Sequence, residues 1–220
     1  MKHTHSDSHD MRLLTGGVDL FVAMVEAMDA AQHEVRLETY IFSFAGAGAD
    51  VAHALMRAAS RGVQVRVVVD GVGTGELPAE WATQFAQAGV QVRVFAPAVG
   101  LGFWLPSRWR RLHRKLCVVD DTVAFCGGIN ILDDYLDPHV QGLLKAPRLD
   151  YAISLQGPLV SAVRATMAQL WSRIEAVREL RSQDLGSALD ALRATQQSLH
   201  LPARGETQLV LRDNVRHRAH

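Results

Sequence analysis

One short segment of the 220-residue chain carries two side chains that could act together on a phosphate ester. His113 and Lys115 lie two residues apart at the start of an apolar run, so on an extended strand both would emerge on the same side. An imidazole can act as a nucleophile or a general acid, and a neighbouring ammonium supplies fixed positive charge for an anionic group. This pair therefore indicates chemistry on a phosphate ester.

Residues that follow the pair could complete such a site. Gly127 and Gly128 lack side chains, so their backbone amides could approach a phosphate closely, and Asn130 offers a further amide donor. Asp120 is out of phase with the basic pair, and a structural role at the turn is at least as well supported for it as a catalytic one. A His-x-Lys pair alone is common by chance, as is a Gly-Gly turn.

The elements that must position these residues follow a regular order. From Gly17, apolar residues recur every three or four positions, which predicts a helix, and "EVRLETYIF" then has strand composition. Two more helix–strand units follow, with helices that end at Gly62 and Gly89 and strands that end at Asp70 and Phe95. Strands that alternate with helices predict an α/β fold, with a mostly parallel mixed sheet flanked by helices.

The second part of the chain predicts a different arrangement. In "HRKLCVVDDTVAFCGG" two apolar runs are separated by Asp120, Asp121 and Thr122, which favours a hairpin at one side of the sheet. "DYAISLQGP" predicts a further strand, and residues from about 158 to 200 predict a long C-terminal helical extension.

The segment from His113 to Asn130 resembles the motif of a known family. The pattern H-x-K-x4-D that starts at His113, followed by G-G-x-N from Gly127, is similar to the HKD signature of the phospholipase D superfamily. The similarity covers about residues 13–171, and Gly-Gly in place of the more general Gly-Ser points to the bacterial cardiolipin synthases. The segments that occur in the same order are "LETYIF", "RGVQVRVVVDGVG", "AGVQVRVF", "HRKLCVVD", "AFCGGIN", "DDY" and "LDYAISLQGP".

The resemblance implies a ping-pong phosphatidyl transfer that needs neither a metal nor another cofactor. One histidine attacks the phosphodiester to give a phosphohistidine, a second histidine protonates the leaving alcohol, and an incoming alcohol or water resolves the intermediate. His113 would be the nucleophile or the acid, Lys115 and Asn130 would bind phosphoryl oxygens, and Asp120 would help to fix the motif.

Two acidic residues outside the motif are candidates for orienting an imidazole through its other nitrogen. Asp150 precedes the strand in "RLDYAISLQGP" and matches an acidic position of the family, and Glu38 lies in "LETYIF". The alternative for both is a surface carboxylate near a strand end.

Enzymes of this family build one active site from two HKD motifs, and this sequence contains one His-x-Lys. The second half would come from a homodimer or from a separate chain. Because "LVLRDNVRHRAH" resembles the start of a second repeat, the simplest interpretation is a truncated chain, the N-terminal half of a longer enzyme. The expected organisation is a flexible tail at 1–10, a phospholipase D-like domain at 11–157, a helical linker region at 158–201 and a truncated second repeat at 202–220. A homodimeric metal-independent nuclease and a non-catalytic remnant are the alternatives.

The expected partners are a phosphatidylglycerol-like phospholipid and a membrane surface. The segment "GLGFWLPSRWRR" would suit anionic head groups at a membrane interface, bases of single-stranded nucleic acid, or packing on the missing half. Lys plus Arg and Asp plus Glu both total 23, so no broad basic surface is expected, and nucleic acid is not the expected partner.

Composition further indicates where the chain works. The polar start "MKHTHSDSHD" has no apolar signal core, and no run approaches the ~20 apolar residues of a membrane-spanning helix. His3, His5 and His9 favour a flexible tail over a metal site, because no second ligand cluster follows. Cys117 and Cys126 are expected to be reduced thiols. We therefore expect a cytoplasmic protein, peripheral to the inner face of a bacterial membrane.

Overall fold

A computed structural model describes residues 9–96, 111–137 and 142–181 of the chain. Three predictions lie outside these ranges. They concern the N-terminal tail up to residue 8, the loop with Trp104 and Trp109, and the chain beyond residue 181. The elements in chain order are β1 Asp10–Thr15, α1 Gly16–Ala30, β2 Glu34–Thr39, α2 Ala47–Ser60, β3 Gln64–Asp70, α3 Ala79–Ala88, β4 Gln91–Phe95, β5 Leu116–Val119, β6 Val123–Gly127, β7 Leu136–Asp137, β8 Gly142–Leu143, β9 Tyr151–Gln156 and α4 Leu159–Arg181.

Seven strands form one mixed sheet in the order β1-β9-β6-β5-β2-β3-β4, and β7 pairs with β8 separately. The predicted α/β class, a mixed sheet flanked by helices, is confirmed. Between the named strands, however, parallel pairing joins only β2 to β3 and β3 to β4, and the other pairings of the sheet are antiparallel, which corrects the expectation of mostly parallel pairing. The physical reason is that the short turn between β5 and β6 joins antiparallel neighbours, and β9 and β1 continue that half.

The three predicted helix–strand units are present. Gly62 and Gly89 follow α2 and α3 with φ values of 91° and 89°, in the left-handed region that ends helices and that suits glycine. Strand β1 was not predicted, because only Leu14 of its six residues is buried and the sequence therefore lacks a regular apolar alternation.

The sheet is buried on both faces. Helices α1, α2 and α3 cover one face, where residues such as Met24, Leu55 and Phe85 form the larger core, and α4 packs on the other face. Strand β5 alternates between them, since Cys117 packs in the first core and Leu116 in the second. Burial on both faces fixes β5 firmly, and so fixes where the residues that precede it emerge from the sheet.

Two composition-based expectations can be compared with the described residues. Cys117 and Cys126 are free thiols, and burial raises the pKa of both, to about 11 for Cys126, so they remain protonated near neutral pH. Across the described part of the chain, no helix has the length and apolar character needed to cross a membrane.

Candidate active site

The basic pair lies where three strands meet at one edge of the sheet. Strands β2 and β3 run in parallel and end at this edge, whereas β5 runs the opposite way and begins there. Because Glu38 is paired with Leu116, the residues just after β2 face the residues just before β5. The loops after β2 and β3 therefore surround residues 111–115.

His113 and Lys115 lie on the same side of their extended segment, as their spacing predicted, although β5 itself begins only at Leu116. The His113 imidazole stacks on the Tyr40 ring with a centroid distance of 4.6 Å and an interplanar angle of 15°. Lys115 Nζ lies 5.5 Å from the centroid of the same ring and donates a hydrogen bond to the His113 carbonyl oxygen at 3.0 Å. Imidazole and ammonium thus share one site, built on an aromatic residue that the sequence patterns did not single out.

Asp70, the last residue of β3, fixes the segment 111–115 through hydrogen bonds of its side chain. Its carboxylate is fully buried, and Oδ2 accepts the Leu112 N–H at 2.8 Å. Its Oδ1 accepts the N–H groups of Val72 and Gly73, at 2.8 and 3.2 Å, in the loop after β3. Asp70 therefore ties the segment of the basic pair to the parallel half of the sheet. An acidic residue directly after a run of valines was the available signal for this role.

Glu38 does not orient an imidazole. Strand alternation places it on the α4 face with its pairing partner Leu116, where Arg114 Nη2 lies 2.7 Å from Glu38 Oε2. Arg114, the residue between His113 and Lys115, is thereby held on the opposite side from them. Burial raises the pKa of Glu38 to about 7, although the charge of Arg114 opposes this shift.

Asp120 lies at the far end of β5 from the basic pair, so the structure does not bring it to the site. Its carboxylate accepts the N–H groups of Gln32, His33 and Glu34 at 2.7–2.8 Å, at the start of β2. Partial burial opposes ionisation, but these three backbone donors hold the pKa of Asp120 below its ordinary value. The role of Asp120 is structural, and its placement among the catalytic residues is corrected.

The amides of Gly127 and Gly128 are not available to a phosphate. The Gly127 N–H donates to the Lys115 carbonyl oxygen at 3.2 Å, and the Gly128 N–H donates to the Tyr151 carbonyl oxygen at 3.0 Å. The prediction of a backbone cradle was therefore wrong, since strand pairing uses both donors. Glycine is required for space at position 127 instead, because a Cβ there would lie 2.6 Å from the Ala152 Cα and from the Tyr151 carbonyl oxygen.

Asn130 and Asp150 do reach the site. Asn130 Oδ1 accepts the Ile41 N–H at 3.0 Å, so the side chain is fixed, and no acceptor among the described residues faces its Nδ2 donors. Asp150 lies against Gly128 and its Oδ1 accepts the Tyr151 N–H at 2.8 Å. Burial lowers the pKa of Lys115, and the charges of Asp150 and Asp70 oppose this shift.

The arrangement offers a nucleophile or acid, one fixed cation and one amide donor at an open edge. A reaction at phosphorus requires these groups, both for the attack and for stabilising the phosphoryl oxygens. The other described histidines, His9, His33 and His53, belong to other parts of the fold, so a second imidazole would have to come from outside the described residues. Within the ranges that the structure describes, no group of three or more His, Cys, Asp or Glu side chains could hold a metal ion.

Fold and site together define a phospholipase D-like domain with a single His-x-Lys pair. Residues 24–142 match the family model described as the PLD-like domain of cardiolipin synthase, and the chain belongs to this family. The resemblance found in the sequence is thereby confirmed.

Relatives give the same result in more detail. The chain is 29% identical over 228 residues to cardiolipin synthase B of Escherichia coli K12, which covers 99% of this chain and 50% of that protein. It is 33% identical over 167 residues to cardiolipin synthase A of Pseudomonas putida, covering 74% of this chain and 33% of that protein. The chain thus spans about half the length of cardiolipin synthase B and about a third of the length of cardiolipin synthase A.

Among solved structures, the fold is similar to that of Nuc from Salmonella typhimurium, a phospholipase D family member. The TM-score is 0.52 at 19% sequence identity, and the match covers 74% of this chain and 95% of that chain.

Proposed function

We propose that this chain supplies one half of a phosphatidyltransferase site that moves a phosphodiester between anionic phospholipids, as in cardiolipin synthesis. The observation that carries the proposal is the His113–Lys115 pair, held together on the Tyr40 ring at the open edge of the sheet. Membership in the cardiolipin synthase PLD-like family supports phospholipid as the substrate.

In this mechanism the basic pair acts directly on the phosphodiester. With His113 as nucleophile, a ring nitrogen forms a bond to phosphorus, and the bond from phosphorus to the first alcohol breaks. A second imidazole gives its proton to that alcohol, then takes the proton of the incoming alcohol, which displaces His113 from phosphorus. The ammonium of Lys115 and the Nδ2 donors of Asn130 stabilise the charged phosphoryl oxygens throughout.

The second imidazole requires a second HKD half. His113 is the one histidine at this edge among the residues that the structure describes, and attack and protonation must occur on opposite sides of one phosphorus. The chain spans about half the length of cardiolipin synthase B, which supports a second half that these 220 residues do not contain.

A transfer assay with phosphatidylglycerol vesicles tests the proposal. We expect negligible transfer by the isolated 220-residue chain, and measurable transfer when the half of E. coli cardiolipin synthase B that this chain does not match is added. That added half alone is the control. Cleavage of single-stranded DNA by the chain alone, without transfer in any mixture, would contradict the proposal and favour a homodimeric phosphodiesterase.

We further infer that the edge carrying the site faces an anionic membrane, at its cytoplasmic side. Several apolar side chains are exposed near this edge, and Leu143 and Leu149 are the most exposed of them, at 78% and 79%. Val18 and Val72, in the first turn of α1 and the loop after β3, lie at the same edge. Exposed leucines beside the cation of Lys145 suit the boundary between acyl chains and anionic head groups.

Vesicle binding checks this surface. The double variant Leu143→Ser/Leu149→Ser is expected to bind phosphatidylglycerol vesicles about tenfold more weakly, because inserted leucine side chains no longer leave water. The matched control is Met11→Ser/Val22→Ser, which removes exposed apolar side chains from β1 and the middle of α1. Sedimentation of the chain with vesicles measures both, and an equal loss in the two double variants would refute the assignment of this edge.

A further inference from the structure

The Tyr40 ring is the main restraint on the His113 imidazole. The imidazole is exposed, and none of its ring nitrogens makes a hydrogen bond within the described ranges, although the His113 backbone N–H donates to the Arg111 carbonyl oxygen. An exposed imidazole without a hydrogen bond would otherwise exchange between rotamers. The stacked contact at 4.6 Å therefore decides where this side chain points.

Tyr40 is itself held from two sides. Gly73 packs directly against it, since a Cβ at that position would lie 2.4 Å from the Tyr40 carbonyl oxygen and 2.8 Å from its ring carbons. Thr74 Oγ1 donates to the same carbonyl oxygen at 3.0 Å and accepts the Phe42 N–H at 3.0 Å. The backbone that carries the ring is thus fixed by the loop after β3, the same loop that Asp70 ties to the His113 segment.

The ring also contacts the cation of the site. Lys115 Nζ at 5.5 Å from the centroid lies within the range in which an aromatic face attracts an ammonium. One hydrogen bond to the His113 carbonyl oxygen uses only one of the three ammonium donors, so the others remain available to a phosphoryl oxygen. A single aromatic ring therefore sets the position of both groups that would act on the phosphodiester.

We propose that Tyr40 is the positioning residue of this site, and that it aligns the His113 imidazole and the Lys115 ammonium for a phosphoryl group through its ring and not its hydroxyl. The proposal rests on the function proposed above for the basic pair. It makes Tyr40→Phe and Tyr40→Leu a matched pair, because the first keeps the aromatic face and the second keeps only apolar volume.

Proton NMR of the full chain tests the proposal with inorganic phosphate as the probe. The imidazole signals of His113, identified by their loss in His113→Ala, are expected to shift from their ring-stacked position in Tyr40→Leu and to keep it in Tyr40→Phe. Phosphate titration followed on these signals is expected to give about tenfold weaker binding in Tyr40→Leu and unchanged binding in Tyr40→Phe. Amide spectra and thermal unfolding of both variants show whether each is folded.

Two outcomes would overturn the proposal. Equal losses in Tyr40→Phe and Tyr40→Leu would assign the effect to the hydroxyl, and wild-type His113 signals with wild-type phosphate binding in Tyr40→Leu would leave the ring without a role. Neither readout depends on lipid transfer, so a failed transfer assay would refute the proposed function and leave this test intact. In the complemented enzyme, Tyr40→Leu is expected to lower kcat while vesicle binding stays unchanged.

Discussion

Replacing His113 with alanine is expected to lower phosphatidyl transfer by the complemented enzyme by at least about 10³-fold. Loss of a nucleophile or of a general acid has effects of this size, because either role is required in both halves of the reaction. The measurement is the initial rate of transfer between phosphatidylglycerol molecules. His33→Ala is the matched control, since His33 is exposed at the opposite edge of the sheet, where β2 begins.

The same variant separates the two roles left open for His113. If His113 is the nucleophile, rapid quenching under conditions that preserve phosphohistidine should detect lipid bound to this chain in the wild type and not in His113→Ala. If His113 is the acid, the lipid adduct should form on the added half in the wild type. Full activity of His113→Ala would contradict the proposed mechanism altogether.

Glu38→Gln is expected to change how the stability of the chain depends on pH. Glu38 has an ordinary pKa of 4.5 and a pKa of about 7 in the folded chain, because burial disfavours the carboxylate. Between these values the unfolded chain has lost a proton that the folded chain still holds. The contribution of Glu38 to the free energy of unfolding is therefore present below pH 4.5 and is lost as pH rises towards 7, by about 3 kcal/mol in all.

Urea unfolding at pH 4.5, 6 and 7.5 measures this effect. Glutamine does not titrate, so the stability of Glu38→Gln relative to the wild type should rise by about 3 kcal/mol across this range. Glu26→Gln, an exposed position of α1, is the control and should show no such trend. If the difference in the free energy of unfolding between Glu38→Gln and the wild type stayed constant with pH, this would contradict a raised pKa of Glu38 in the folded chain.

Local patterns predicted the first half of the fold better than the second. The helix–strand units up to β4 have apolar periodicity and glycine at the helix ends, and both are properties of neighbouring residues. The antiparallel half depends on pairing between strands distant in the chain, as in β6 with β9, and β1 buries only Leu14. No local pattern contains that information.

The candidate site divides in the same way. The common side of His113 and Lys115 follows from their spacing alone. Tyr40 and Asp70 were missed because they lie just after β2 and at the end of β3, and the sheet alone brings them to this segment. The donors of Gly127 and Gly128 were misassigned because whether an N–H is free depends on strand pairing.

The hydrogen bonds of Asp120 also bear on the order in which the molecule folds. They join residues 86–88 positions apart, and they accompany the pairing of β2 with β5 at the middle of the sheet. Closing so long a loop costs entropy before any contact repays it, whereas β2, β3 and β4 can associate over short connections. Tyr40 and His113 meet only when this loop closes, so we expect the site to form late in folding, after the β5–β6 hairpin of a growing chain has been synthesised.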